Sequence, residues 1–152
     1  MKSLLTMIVA LFVAIGATQT THAQSDGAFL IGFETGQVLG ANGMYQINDM
    51  IQVGTSLGLQ IQENSNVFYL APQARFLLDM GVKNTNIMLD AQLRLLFGDQ
   101  SQTALVIRGG LQHWISKGFA VYGGFGILDI GFDPSYTTFG FLSPFVGAQF
   151  AL

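Results

Sequence analysis

The chain has 152 residues, of which 50% are hydrophobic and only 10% charged, against roughly 25% charged in an ordinary soluble domain. A formal net charge of -3 offers no basic patch for nucleic acid, and the lack of cysteine excludes disulfides, thiolate chemistry, cysteine-ligated zinc and lipoprotein acylation. Its 19 glycines and 13 phenylalanines argue against a coiled coil or a disordered tail. In chain order, the first element is a targeting signal. Lys2 supplies a short positive region, Leu4 to Ala17 (LLTMIVALFVAIGA) an apolar core, and Thr21 and Ala23 the small residues that signal peptidase prefers. The apolar run is shorter than the ~20 residues of a spanning helix. Residues 1–23 are therefore expected to be a signal peptide cleaved after Ala23, and residues 24–152 a single exported domain.

After residue 24 no stretch approaches ~18 consecutive apolar residues, and no helical period is evident. Clusters rich in Gly, Asn, Asp, Ser or Pro instead delimit eight strand-like segments: 28–35, 38–47, 50–62, 67–78, 87–98, 103–115, 119–131 and 138–152. In the third, Ile51, Val53, Thr55, Leu57, Leu59 and Ile61 alternate with Gln52, Gly54, Ser56, Gly58, Gln60 and Gln62. The fourth sets Phe68, Leu70, Ala74, Phe76 and Leu78 against Tyr69, Gln73 and Arg75. The fifth sets Ile87, Leu89, Ala91, Leu93, Leu95 and Phe97 against Met88, Asp90, Gln92, Arg94, Leu96 and Gly98. In the sixth, Leu105, Ile107, Leu111 and Ile115 oppose Val106, Arg108, Gln112 and Trp114. The seventh, FAVYGGFGILDIGF, is apolar on both faces, so alternation leaves its register open; a bulge near Gly123-Gly124 would shift it.

Alternation alone does not say which face is inside. A secreted or periplasmic soluble barrel that binds an apolar ligand shares this period with the faces exchanged. Three features favour a membrane barrel. The polar face is too poor in charge for a water surface, carrying chiefly amides and glycines. Several segments match the ~9–11 tilted residues that cross a bilayer. Apart from Glu34, Arg75, Asp90, Arg94 and Arg108 on the polar face, almost all the remaining charges fall in turns: Asp49, Glu63, Asp79, Lys83, Asp99, Lys117 and Asp133.

The last segment, SPFVGAQFAL, places Val146, Ala148, Phe150 and Leu152 on one face. Here the chain resembles bacterial outer-membrane β-barrels, whose final strand ends in alternating apolar residues; those usually finish on phenylalanine, whereas this chain finishes on Leu152. The overall plan is similar to the small barrels of the OmpA transmembrane domain and the OmpX/Ail type. That resemblance implies an all-β fold, a closed antiparallel eight-stranded up-and-down barrel in the outer membrane of a Gram-negative cell. It further implies a monomer with both termini in the periplasm, surrounded by outer-membrane lipid and delivered through its C-terminal strand to the barrel-assembly machinery. The segments ND, DMGVKNTN and SKG would then be periplasmic turns. TGQ, ENSN, GDQSQ and DPSYTT would be outer loops, short for a family whose long loops carry adhesion.

An eight-stranded barrel is just wide enough for side chains to fill, so a porin-like wall here encloses a packed interior. Glu34, Arg75, Asp90, Arg94 and Arg108 would share it, and the economical arrangement is an ion-pair network, since unpaired buried charge is costly. Gly54 and Gly58 are expected to leave room for those arginines. A structural role in the envelope without catalysis follows. The competing enzyme reading is a lipid A-modifying hydrolase using His113 and Ser116. In the lipid A deacylases that pair is two apart on one strand face with an acid following, whereas three-residue spacing in a regular strand puts His113 and Ser116 on opposite faces. The plainer reading makes His113 and Trp114 an amphipathic pair at the bilayer interface. No cofactor is expected: GGFG at 123–126 has no lysine or following helix, no histidine cluster suggests a transition metal, and calcium at DPS with Asp129 has no further ligands in the sequence.

Overall fold

The computed structural model describes residues 27–36, 39–62, 65–98, 101–132, 135–139 and 143–152, so the expected signal peptide lies outside the described residues. Each alternating segment becomes a strand: β1 Phe29–Thr35, β2 Leu39–Asn48, β3 Ile51–Gln62, β4 Ser65–Val82, β5 Thr85–Phe97, β6 Gln102–Ser116, β7 Phe119–Phe132, β8 Ser135–Phe139 and β9 Pro144–Ala151. All neighbours are antiparallel, and β9 returns to β1 from Leu30↔Ala151 to Thr35↔Val146, closing the wall. Both β8 and β9 pair with β7, so together they occupy one position and the barrel is eight-stranded. Closure leaves no long free edge of the kind that promotes aggregation.

That eighth position corrects the expected single strand over 138–152. Leu128 pairs with Phe139 and Phe125 with Pro144, so β7 advances three residues while the facing chain advances five. The sequence marks this stretch only by Ser143-Pro144, a turn signal that the single-strand reading passes over because Phe139, Phe141 and Phe145 share one parity on either side of it. Part of the expected DPSYTT loop is strand instead, for Tyr and Thr suit a pleated surface. The expected turn DMGVKNTN likewise narrows to Lys83-Asn84. Asp79 to Val82 extend β4 through a bulge, with Gly81 at φ 71° and Asn84 at φ 60°, left-handed positions that glycine and asparagine tolerate. Asp79 Oδ1 accepts the Gly81 N–H at 2.8 Å and secures the bend.

The turns Asp49-Met50, Lys83-Asn84 and Lys117-Gly118 share one end of the barrel, the hairpin end. Both ends of the described chain are there too, since Phe29 pairs with Tyr45 and the Ala151 N–H donates to Gly118 O. The connections that contain Glu63, Asp99 and Asp133 lie outside the described residues.

The register of β7 is set by a bulge at Ile127, not at Gly123-Gly124. Ile107 pairs with Leu128 but Arg108 with Gly126, leaving Ile127 unmatched. Ala120, Tyr122, Gly124 and Gly126 therefore share the inward face with Asp129 and Gly131 beyond the bulge. A second irregularity, at Ile115, pairs Trp114 with Ala120 and Ser116 with Phe119.

With every register fixed, the outward positions of the described strands contain no charged residue. Their polar members are uncharged threonines (Thr35, Thr55, Thr85, Thr103, Thr137), serines (Ser116, Ser135), Asn48 and His113, among otherwise aliphatic, aromatic or small side chains. Phe29, Phe33, Leu39, Leu57, Leu59, Phe125 and Val146 stand exposed on this surface. The inward face carries the polar groups, and Gln52, Ser56, Arg75, Asp90, Gln112 and Gln149 have no accessible surface.

The glycines of β3 do not make room for arginines. A Cβ at Gly54 would meet Met44, and one at Gly58 would meet the Tyr69 ring and lie 2.6 Å from Leu39 O. The space is taken by adjacent strands rather than by residues across the lumen. Gly58→Val is expected to lower stability by about 1–3 kcal/mol through overpacking, read from the urea midpoint of unfolding in detergent micelles.

Candidate functional site in the barrel lumen

At the hairpin end the lumen is apolar: Leu30, Met44, Trp114 and Ala120 form a buried cluster. Trp114 is 2% exposed, which corrects its expected place at a bilayer interface. The alternation of β6 had already put it on the face of Arg108 and Gln112. His113, its neighbour, does face outward, with Nδ1 2.8 Å from Thr85 Oγ1. The bulge at Ile115 also turns Ser116 to the face of His113, contrary to the opposite faces expected from their spacing. Their hydrogen bonds nonetheless lead apart, because Ser116 Oγ accepts the Gly118 N–H at 3.3 Å.

Above this plug lies a connected polar layer. β6 delivers Arg108 between two carboxylates: its Nη1 is 2.7 Å from Glu34 Oε1 on β1, its Nη2 3.2 Å from Glu34 Oε2, and the same Nη2 2.6 Å from Asp90 Oδ2 on β5. Arg75 on β4 reaches Asp90 Oδ2 at 3.4 Å, so Asp90 bridges both guanidinium groups. Two cations and two anions thus form one chain, and the bidentate Arg108–Glu34 fork is its strongest geometry. Register explains part of this, because Arg75, Asp90 and Arg108 are successive cross-strand partners, while Glu34 reaches across the lumen.

Neutral groups extend the chain. Arg75 Nη1 donates to Gln149 Oε1 at 3.1 Å, the Tyr122 hydroxyl donates to Glu34 Oε2 at 3.3 Å, and Asn42 Nδ2 donates to Tyr122 OH at 2.7 Å. Gln92 donates to Gln73 at 2.6 Å, and Gln52 to Gln46 at 2.7 Å. The guanidinium groups also stack: Arg75 sits 4.3 Å from the Tyr122 ring centre and Arg108 4.2 Å from that of Phe145. Sequence reasoning did not single out Tyr122, Asn42 or Gln149, and considered Asp129 only as a calcium ligand. For Gln149 and Asn42 the signal was parity on short strands; for Tyr122 and Asp129 it was lost in the undetermined register of β7.

Arg94 stands apart from this chain. It lies toward the opposite rim, 5.9 Å from the Tyr69 ring centre, and borders the same cavity as Asp129. Glu34, Arg94, Arg108 and Asp129 border a cavity of about 40 Å³. A single water needs roughly 10–15 Å³ by that measure, so the space suits a few waters rather than an organic ligand. Among the described residues no group of three or more His, Asp or Glu side chains is placed to hold a metal ion.

No family model matches this chain, and no curated protein matches it. Among solved structures, it is similar to the N-terminal β-barrel domain of Pseudomonas aeruginosa OprF, with a TM-score of 0.64 and 14% sequence identity over 85% of this chain and 98% of that one. The likeness covers nearly the whole of that domain and establishes the fold: a closed, all-antiparallel eight-stranded β-barrel.

Proposed function

We propose that the chain is an integral outer-membrane β-barrel protein with a structural role in the cell envelope, its lumen packed with Glu34, Arg75, Asp90, Arg94 and Arg108 and carrying no catalysis. One observation carries this reading: the outward positions of the described strands, which hold no charged side chain, encircle an interior where Glu34, Arg75, Asp90 and Arg108 pair with one another. A soluble barrel would have the reverse arrangement, because hydrocarbon rather than water tolerates such a wall. The likeness to a barrel domain of a bacterial protein supports the same location. On this reading the domain belongs with the small OmpA- and OmpX-type barrels. It is a monomer exported by the signal peptide of residues 1–23, with outer-membrane lipid around it, the hairpin end in the periplasm and its C-terminal strand offered to the assembly machinery.

Membrane fractionation followed by electrophoresis with and without boiling tests the assignment. The protein is expected in the outer-membrane fraction, with the unboiled form migrating differently from the boiled one; recovery from the soluble periplasm would refute it. A plugged lumen further predicts no defined open steps for the purified protein in planar bilayers, because a cavity of about 40 Å³ bordered by Glu34 and Arg108 provides no continuous water path. Well-defined single-channel steps would overturn the plug.

A further inference from the structure

Of the six Lys and Arg residues in the chain, Lys2 lies outside the described residues and Arg75, Arg94 and Arg108 face the lumen. The other two, Lys83 and Lys117, are both exposed and sit on neighbouring turns at the hairpin end. The Trp114 N–H donates to Asn84 O at 2.8 Å, which ties the Lys83 turn to β6 beside Ile115. Lys117 follows two residues later, roughly 7 Å along the strand. Neither lysine forms an ion pair among the described residues. Asp79 has inward parity and holds the Gly81 N–H, Asp49 belongs to the β2–β3 turn, and the carboxylate of Leu152, although the Ala151 N–H bonds Gly118 O beside Lys117, makes no ion pair with either lysine among the described residues.

Between the two lysines, on the outward face, are His113 and Ser116. The Thr85 hydroxyl bridges Lys83 O, at 3.3 Å, and His113 Nδ1, at 2.8 Å, with the direction of the second hydrogen bond set by the imidazole tautomer. Ser116 Oγ accepts the Gly118 N–H and keeps its own proton for another acceptor. Immediately toward the barrel middle the surface becomes apolar, with Ile87, Leu111, Val121 and the Phe119–Phe150 stack, whose ring centres are 4.8 Å apart. Uncompensated positive charge and hydroxyl groups thus stand at the edge of a hydrocarbon-compatible wall, on one sector of the barrel.

From this juxtaposition we infer that the outward β5–β7 sector at the hairpin end binds an anionic phospholipid, with its phosphate at Lys83, Lys117 and Ser116 and its acyl chains along Leu111, Val121 and Phe119. The inference rests on the membrane reading above. A lysine near a charged membrane surface contributes roughly fivefold in affinity, so the pair gives roughly twenty- to thirtyfold preference over a zwitterionic lipid of equal chain length.

The test separates the two readings. The full mature chain is folded into phosphatidylcholine vesicles, then transferred to micelles containing equal phosphatidylglycerol and phosphatidylethanolamine, and retained lipid is counted by native mass spectrometry. Failure to fold in any vesicle overturns the membrane reading and this one with it. Folding with equal retention of both lipids overturns only the site. The expected result is preferential phosphatidylglycerol retention that K83Q/K117Q abolishes, while that variant keeps the wild-type gel shift on boiling. A preference unchanged in K83Q/K117Q would refute the location. Displacement of the lipid by millimolar inorganic phosphate would show a bare anion site and overturn the lipid assignment.

Discussion

Replacing Arg108 with methionine is expected to destabilise the barrel by about 3–5 kcal/mol, the usual cost of removing one partner from a buried ion pair. The guanidinium is the only ionic partner of Glu34 among the described residues, and it is shared with Asp90. Without it Asp90 keeps Arg75 at 3.4 Å, whereas Glu34 keeps only the Tyr122 hydroxyl at 3.3 Å. Most of the loss therefore comes from stranding Glu34. The double variant R108M/E34Q should recover the larger part of the stability, and R108M/D90N much less. Urea midpoints in detergent micelles measure all three, and the double-mutant cycle isolates the pairwise coupling. A loss below about 1 kcal/mol for R108M would mean that water enters the layer and solvates Glu34, contrary to a sealed lumen.

This network also shows what the sequence makes legible. Arg75, Asp90 and Arg108 fall at matching parity on three consecutive long strands, so alternation alone brings them to one surface. Their actual partnership depends on register, which turns and bulges decide. The strands themselves were legible because the apolar and small-polar sets alternate without interruption over ten or more residues, a pattern no helix shares. Three features were not, each for a local reason. The bulge at Ile127 leaves no mark in FAVYGGFGILDIGF, where both faces are apolar, so Asp129 could not be placed beside Arg94. The bulge at Ile115 reverses the parity of Ser116 relative to His113, which spacing in a regular strand predicts wrongly. The break between β8 and β9 has Ser143-Pro144 as its turn signal, obscured by aromatics of one parity on both sides, at Phe139, Phe141 and Phe145. Trp114 differs in kind: the pattern placed it inward, and only the general preference of tryptophan for interfaces argued otherwise. Its burial with Leu30 and Met44 gives the hairpin end of the lumen a large apolar stopper, which reduces the volume that charged groups must fill.

The outward wall makes the opposite prediction from the lumen, because there charge is not merely unpaired but has no polar neighbour to approach. Leu57 lies in the middle of β3 between Ala41 and Leu70 and is 45% exposed. Leu57→Arg is expected to cost about 2–4 kcal/mol of folding free energy in a bilayer if this level is the midplane. Met50→Arg, at the Asp49-Met50 turn, should cost about 0–1 kcal/mol, since a residue at the interface reaches water by extending its side chain. The difference between the two variants removes the intrinsic effect of introducing arginine and leaves depth as the variable. Folding into phosphatidylcholine vesicles, followed by urea titration, provides both values. Equal costs would place Leu57 outside the hydrocarbon, and a Leu57→Arg variant that inserts as readily as the wild type would mean that β3 presents its other face to the membrane. In that case Gln52 and Ser56, now without accessible surface, would have to face lipid, where their polar groups have no partners. The large difference expected between Leu57 and Met50 therefore tests the direction of every strand in the wall, because the register ties each to its neighbours and one inverted strand would invert all eight positions.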